Sequence, residues 1–504
     1  MFKLQLLKHP PSPLQRGNYP LEGIAVKLKR AKCLIMSDIV YFFYIGKKAE
    51  NIIKDLSKSL YTYLGEDHIS RIAKESGFEK RKNKEEKITG SNFLRVLLFQ
   101  HESSEVVSLS DISVSFFNAY GKKLSKQGVD HRFNEASVCF FKALLVELIE
   151  QLLSVQLPKR LDTTGIRQVK ITDGTSFQLP PAYCSTYPGS GGAASSAMIK
   201  IQYEYDLLSG KVTHLSLCPF LEHDSTHAKN RVEAIEAGDL ILRDLSYQST
   251  DMMESVDERA AFYLTKLPAK LTHIYTYDEQ KDHYEKVVFS ELLKKEVLPE
   301  ELEVYLTPKK IKSRLILGRV PLSTYQQRVQ RRKKEKKCKA PSQEEKARMH
   351  FNLYLTNLPQ EKLSVATTYQ IYRLRWQVEL VFKTWKSYAG LAKVKNMKQT
   401  RFECMLYIRL IWLLIQGAMI ACIQNIHARM ESKLAISTLK LSKHLNKAEH
   451  KLDLLSALFK SRKTIITLLE KLLVISPYYF ELEEKKGSIS SAKIIKNYVP
   501  NITF

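Results

Sequence analysis

The spacing of apolar positions divides this chain before any chemistry is considered. Across residues 38–160 apolar residues recur at helical spacing, so this region is predicted to be mostly helical. Within it the stretch SLSDISVSFFNAYGKKLSKQGVDHRF is punctuated. Ser108 or Ser110 can cap one short helix, and Gly121 supplies a turn. Ser125 can then cap a second helix carrying Lys126, Gln127, His131 and Arg132. Such a pair reads either as a helix-turn-helix DNA-binding element or as an ordinary helical hairpin.

Residues 161–266 switch to the period of strands. RQVKITDG alternates and is predicted to end at Asp173. MIKIQYEYD and GKVTHLSLCPF flank the turn Leu207-Leu208-Ser209-Gly210 and predict an antiparallel hairpin. Ala228 to Ala237 suits a helix, DLILRD a short strand ending at Asp244, and AFYLTKL a further strand. Strands interleaved with helices predict an α/β fold. Residues 267–349 hold the strand-like pieces THIYTY, YEKVVF, EVYL and SRLILGRV, then the basic tract RVQRRKKEKKCK, expected to be a solvated loop. Residues 350–430 open on the strand HFNLYLTNLP and turn helical, and residues 431–504 are helical up to a polar tail after Glu481. Residues 1–37, with Pro10, Pro11, Pro13 and Pro20, read as a poorly ordered leader, and Met36 is a candidate functional start. The apolar run from Met405 to Ile423 contains Arg409 and Gln416, which a buried core helix tolerates more cheaply than a membrane span.

Charge changes this picture. Among 504 residues, 79 Lys and Arg face 53 Asp and Glu, a net charge of +26. An excess of that size implies an anionic partner, and nucleic acid is the commonest large one. The seven cysteines are scattered and form no C-x-x-C pair, which points to free thiols in a reducing compartment, the cytoplasm by default.

The chemistry concentrates in YRLRWQVELVFKTWKSYAGL, residues 372–391. With residues 369–390 placed on one helix, Ile371, Leu374, Val378, Val381 and Trp385 form a core-facing stripe. Tyr372, Arg375, Glu379, Lys383 and Lys386 share the adjoining face. Asp173 and Asp244, at strand ends, can converge with Glu379 to hold a pair of Mg²⁺ or Mn²⁺ ions, because hard cations take oxygen ligands. Two such ions activate the attacking oxygen and stabilise the leaving oxygen in phosphodiester chemistry. Neighbouring basic residues can hold the phosphates.

Tyr372, Arg375, Glu379 and Lys386 fit the spacing Y-x2-R-x3-E-x6-K. The chain thereby resembles the DDE transposases of bacterial insertion sequences that carry the Y-R-E-K signature, the insertion sequence four family. ITDGT around Asp173 and LILRDLSY around Asp244 and Tyr247 resemble the first two acidic blocks, and YLTNLP resembles the lead-in to the glutamate helix. Ser246 departs from the pattern, since relatives commonly have Gly in that turn.

The resemblance implies an RNase H-like catalytic domain, in two parts at 161–266 and 350–430, interrupted by a mostly β insertion at 267–349. It implies a transposase that binds terminal inverted repeats in double-stranded DNA and moves its element by metal-dependent cleavage and strand transfer, as a homodimer on DNA. Asp173, Asp244 and Glu379 are then the catalytic metal ligands. Tyr372, Arg375, Lys383 and Lys386 are DNA-binding, joined by Lys126, Gln127 and Arg132 of the helical N-terminal region. A silent, domesticated DNA-binding protein and a structure-selective nuclease of the same fold are the alternatives. YPGSGGAASS lacks the Lys of a P-loop, and His223, Asp224 and His227 lack the context of a zinc site. Asp162, Asp206 and Asp239 fall outside the matching blocks and are expected in surface or turn roles.

Overall fold

The computed structural model describes residues 47–80, 88–100, 107–154, 165–191, 195–268, 271–306, 310–334, 340–429 and 435–482. The expected leader, Met36, Asp162 and most of the polar tail lie outside these residues. The described residues from Asn51 onward belong to one compact unit.

The helical N-terminal region comprises α1 (Lys47–Tyr63), α2 (Glu66–Glu75), α3 (Gly90–Gln100), α4 (Leu109–Tyr120), α5 (Lys126–Arg132) and α6 (Glu135–Ser154). The punctuation seen in the sequence is the punctuation found. Ser108 caps α4, its hydroxyl accepting the Asp111 amide while the Asp111 carboxylate accepts the Ser108 amide. Gly121 ends α4 with a φ of 64°, a left-handed conformation that costs glycine little. Ser125 caps α5 by accepting the Gly128 amide at 3.0 Å. Phe78, Phe93, Phe116, Phe133, Phe140 and Phe141 stack behind these helices in one buried aromatic core.

The sheet has ten strands: β1 (Gln168–Leu179), β2 (Ala197–Asp206), β3 (Val212–Pro219), β4 (Asp239–Arg243), β5 (Phe262–Lys266), β6 (Ile274–Asp278), β7 (His283–Lys286), β8 (Glu301–Leu306), β9 (Ile311–Arg319) and β10 (Phe351–Thr356). Their order is β3-β2-β1-β4-β5-β10-β9-β8-β6-β7. β4 pairs parallel with β1 and β5, and the other pairings are antiparallel. The predicted β2–β3 hairpin is present. Between β3 and β4 lies α7 (Asp224–Asn230), shorter and earlier than the helix predicted at Ala228 to Ala237. Between β4 and β5 lies α8 (Thr250–Glu258), whose Met252, Met253 and Val256 pack with Ile241, Tyr263, Leu315 and Leu355 in the core under the sheet.

Two expectations are corrected here. Asp173 does not end its strand: β1 continues to Leu179 because β2 pairs with it throughout, whereas the β4 pairing stops at Thr172 opposite Arg243. The basic tract is helical as far as it is described. After α9 (Phe289–Lys294), α10 (Leu322–Lys334) buries no residue, yet Arg328 donates to the Met349 and Phe351 carbonyls and Arg332 pairs with Glu345 of α11 (Gln343–Met349). These contacts fasten an otherwise solvated helix to the start of β10.

After β10 the chain is helical: α12 (Val365–Leu374), α13 (Gln377–Ser387), α14 (Gln399–Arg429), α15 (Thr438–Leu445), α16 (Ala448–Lys460) and α17 (Arg462–Tyr479). Among the described residues α14 alone is long and apolar enough to cross a membrane, but 83% of its apolar window is buried within the protein. It packs against α6, β3, α15 and α17 as a core helix.

Candidate functional site

β1 and β4 run parallel and in register up to Thr172 and Arg243. The next residue along each segment is an aspartate, Asp173 within β1 and Asp244 just past the end of β4, so the two stand side by side where the strands part. Tyr203, opposite Asp173 on β2, meets Trp385 of α13 edge-on with ring centroids 4.9 Å apart. That contact, with Phe382 beside it, lays α13 across the face of the sheet that Asp173 occupies.

The Glu379 segment is not one straight helix, as its periodicity suggests. It bends between α12 and α13, where the Arg375, Trp376, Val378 and Glu379 amides each bond three residues back rather than four. The apolar stripe survives, with Ile371, Leu374, Val378 and Trp385 buried. The other face is redistributed. Arg375 is turned inward and only 7% exposed, Tyr372 is buried beneath it, and Lys383 and Lys386 remain exposed.

Arg375 then gathers the three acids. Its Nη1 lies 3.3 Å from Asp173 Oδ2, and its Nη2 lies 3.4 Å from Glu379 Oε1 and 4.0 Å from Asp244 Oδ1. Burial pushes the Asp173 carboxyl up to about 6; the Gly174 amide and Arg375 pull it down, and Asp244 and Glu379 repel it further upward. Lys386 Nζ donates to the Ser176 carbonyl at 2.9 Å, tying α13 to β1 just beyond Asp173.

Comparison with known proteins decides what this constellation belongs to. The profile of the family described as Transposase DDE domain matches residues 164–415. The transposase for insertion sequence element IS231F of Bacillus thuringiensis subsp. israelensis is 30% identical over 373 residues, covering 70% of this chain and 77% of its own. The transposase for IS1151 of Clostridium perfringens is 30% identical over 407 residues, covering 77% and 85%. The chain belongs to the DDE transposases of bacterial insertion sequences.

This transposase family uses divalent metal ions, and the donor set here fits them: three carboxylates, all hard oxygen donors, gathered about one cationic group. Among the described residues no three His, Cys, Asp or Glu side chains stand close enough to hold a metal ion as they are, the triad included. In the triad the Arg375 guanidinium takes the central position.

One residue at the site was missed in the sequence. Lys266 ends β5, the parallel neighbour of β4, and its ammonium lies 5.7 Å from the Tyr372 ring centroid. Burial and then the Arg375 cation lower its pKa, while Asp244 raises it. The available signal was a lone Lys closing an apolar strand at the same edge as Asp244. Arg132 has acceptors inside the protein. Its guanidinium donates to the Phe78 and Ile88 carbonyls at 3.1 and 2.9 Å and lies 3.9 Å from the Phe78 ring centroid. Arg132 therefore braces the aromatic core, while Lys126, Gln127 and His131 are exposed on α5. Asp206 holds the β2–β3 turn through the Leu208 and Ser209 amides, and Asp239, buried against Arg167 and Lys170, accepts the Glu236 amide in the turn before β4. Ser246 keeps an ordinary negative φ in the 3₁₀ turn Leu245–Tyr247, so this turn has no need of glycine.

Proposed function

We propose that the transposase binds the terminal inverted repeats of its element as a homodimer in the cytoplasm, cuts them in a metal-dependent reaction and joins them to target DNA. The catalytic core on this reading is RNase H-like. The order β3-β2-β1-β4-β5, antiparallel on one side of β1 and parallel on the other, supports it. So does the position of β6 to β9, which enter the chain between β5 and β10 as the proposed insertion. The helical region that carries Lys126 and Gln127 contributes to end recognition.

The observation that carries the proposal is the meeting of three carboxylates from two strands and one helix around Arg375. Asp173, Asp244 and Glu379 would hold Mg²⁺ or Mn²⁺, two ions for in-line phosphodiester chemistry, and bound there the metal supplies Lewis-acid stabilisation of the oxygens that gain charge. The chain's own residues do the rest. Lys383 and Lys386, exposed one and two turns beyond Glu379 along α13, offer cations to the DNA backbone. Arg375, supported from below by the Tyr372 ring at 6.0 Å, neutralises the acids and offers a guanidinium to an entering phosphate.

Glu379→Gln tests this reading. It keeps size and helix compatibility, so end binding in a gel shift should stay within about threefold of wild type while cleavage of the same DNA is lost, on the order of a thousandfold or more. Excess chelator should stop wild-type cleavage as completely. A folded Glu379→Gln protein that cuts at near-normal rate would show that the catalytic carboxylate lies elsewhere.

A further inference from the structure

The two acidic blocks contain residues that the acids alone do not explain: Gly174 after Asp173, and Ser246 and Tyr247 after Asp244. All act on the opposite face of the sheet from Asp173, because side chains alternate along β1. Tyr247 is 1% exposed, and its hydroxyl donates to Gln202 Oε1 at 2.6 Å. Gln202 lies opposite Gly174 on β2 and in turn donates to Asp224 Oδ1 at 3.0 Å. Asp224 also takes a hydrogen bond from the Ser246 side chain. The 3₁₀ turn that begins at Asp244 is thus pinned once to Gln202 of β2 and once to Asp224 of α7, which Gln202 also holds.

Gly174 makes this possible. A Cβ there would lie 3.1 Å from the Tyr247 hydroxyl, closer than such atoms ordinarily approach. One step back, the same face carries a second fastening: Arg243 Nε donates to Thr172 Oγ1 at 3.0 Å, and Thr172 Oγ1 to Glu204 Oε2 at 2.7 Å. Thr172 and Arg243 are the residues immediately before the two aspartates.

We infer that Tyr247, working through Gln202 in the space left by Gly174, is a positioning residue that sets the separation of Asp173 and Asp244 from behind the sheet. It touches neither DNA nor metal. A hydrogen bond that ties the turn carrying Asp244 to β2 fixes where that carboxylate stands relative to Asp173, and its loss is felt as weakened metal affinity rather than as unfolding. The inference rests on Asp173 and Asp244 being metal ligands, as proposed above.

The test uses the full chain without DNA, with Mn²⁺ alone as the probe, read by the electron paramagnetic resonance of the free ion. Tyr247→Phe, folded by circular dichroism, should bind Mn²⁺ about tenfold more weakly than wild type. Its cleavage should show the same rise in Mn²⁺ midpoint and recover at high Mn²⁺, with end binding unchanged. Gly174→Ala, which drives a methyl group at the hydroxyl, should weaken Mn²⁺ binding as well. Adding Tyr247→Phe to it should restore affinity to the level of Tyr247→Phe alone, because the group it strikes is gone. Asp173→Asn is the control and should lose binding. If Asp173→Asn loses Mn²⁺ while Tyr247→Phe binds it like wild type, the positioning role is refuted. Unchanged Mn²⁺ binding by Asp173→Asn overturns the metal assignment itself, and this inference with it.

Discussion

Asp173 carries the least comfortable charge at the site. Its carboxyl is half-buried, it has Asp244 and Glu379 as neighbours, and the Gly174 amide and Arg375 only partly offset these effects, so its pKa stands at about 6 against an ordinary 3.8. A raised pKa in the folded state means that the fold binds more protons than the unfolded chain between those values. Stability is therefore fullest below the unfolded value and declines as pH rises through about 6, by roughly 3 kcal/mol for a shift of this size. Asp173→Asn should accordingly raise the thermal midpoint of the metal-free protein at pH 8 and leave it nearly unchanged at pH 4. Equal stabilisation at both pH values would mean that ionisation of Asp173 is not the cause. The three acids were legible in the sequence because the signature spacing and the two aspartate blocks single them out. The inward turn of Arg375 was not, because a uniform helical wheel puts it on the same face as Lys383 and Lys386.

Helix punctuation was read well where a residue type announces it, as at Ser108, Gly121 and Ser125. The bend between α12 and α13 has neither Gly nor Pro to mark it. It consists of a change in hydrogen-bond span, and only packing of Leu374 and Val378 against the core reveals it. The direction of side chains on a short helix is equally a tertiary matter. On α5, Lys126 and Arg132 look alike in sequence, yet Arg132 donates through its Nη2 to two backbone carbonyls. Arg132→Met should destabilise the fold by about 2 kcal/mol, the order expected when charge-assisted hydrogen bonds to buried carbonyls are removed. Lys126→Ala should leave the unfolding midpoint unchanged within about 0.5 kcal/mol and weaken end binding instead. Chemical denaturation and gel shifts on both variants separate the two roles; an unaltered stability for Arg132→Met would return that residue to the DNA-facing set.

Over the whole molecule, the +26 charge supplies attraction to any duplex, and the site decides where that attraction becomes chemistry. The helices α5 and α6 are not separable from the core helix α14, because α6 packs along α14 and Arg401 of α14 meets Asp130 of α5 at 3.7 Å. Point substitutions at exposed cations therefore test DNA binding more cleanly than truncation does. Lys383 and Lys386 are the pair to change. A cation seated on a phosphate displaces counterions, so removing one such cation should reduce the steepness of log affinity against log salt by about 0.9. Lys383→Ala should lower the slope by that amount with no change in fold, and the double variant with Lys386→Ala by about 1.8. Lys386→Ala also removes the tie to the Ser176 carbonyl, so its cleavage rate should fall even at low salt, where binding is saturated. Lys383→Ala, which leaves that tie to β1 intact, should cut at a normal rate at low salt and fail only as salt rises. A slope identical to wild type in the double variant would assign these lysines to the solvated surface and move the phosphate-binding role to other cations of the chain.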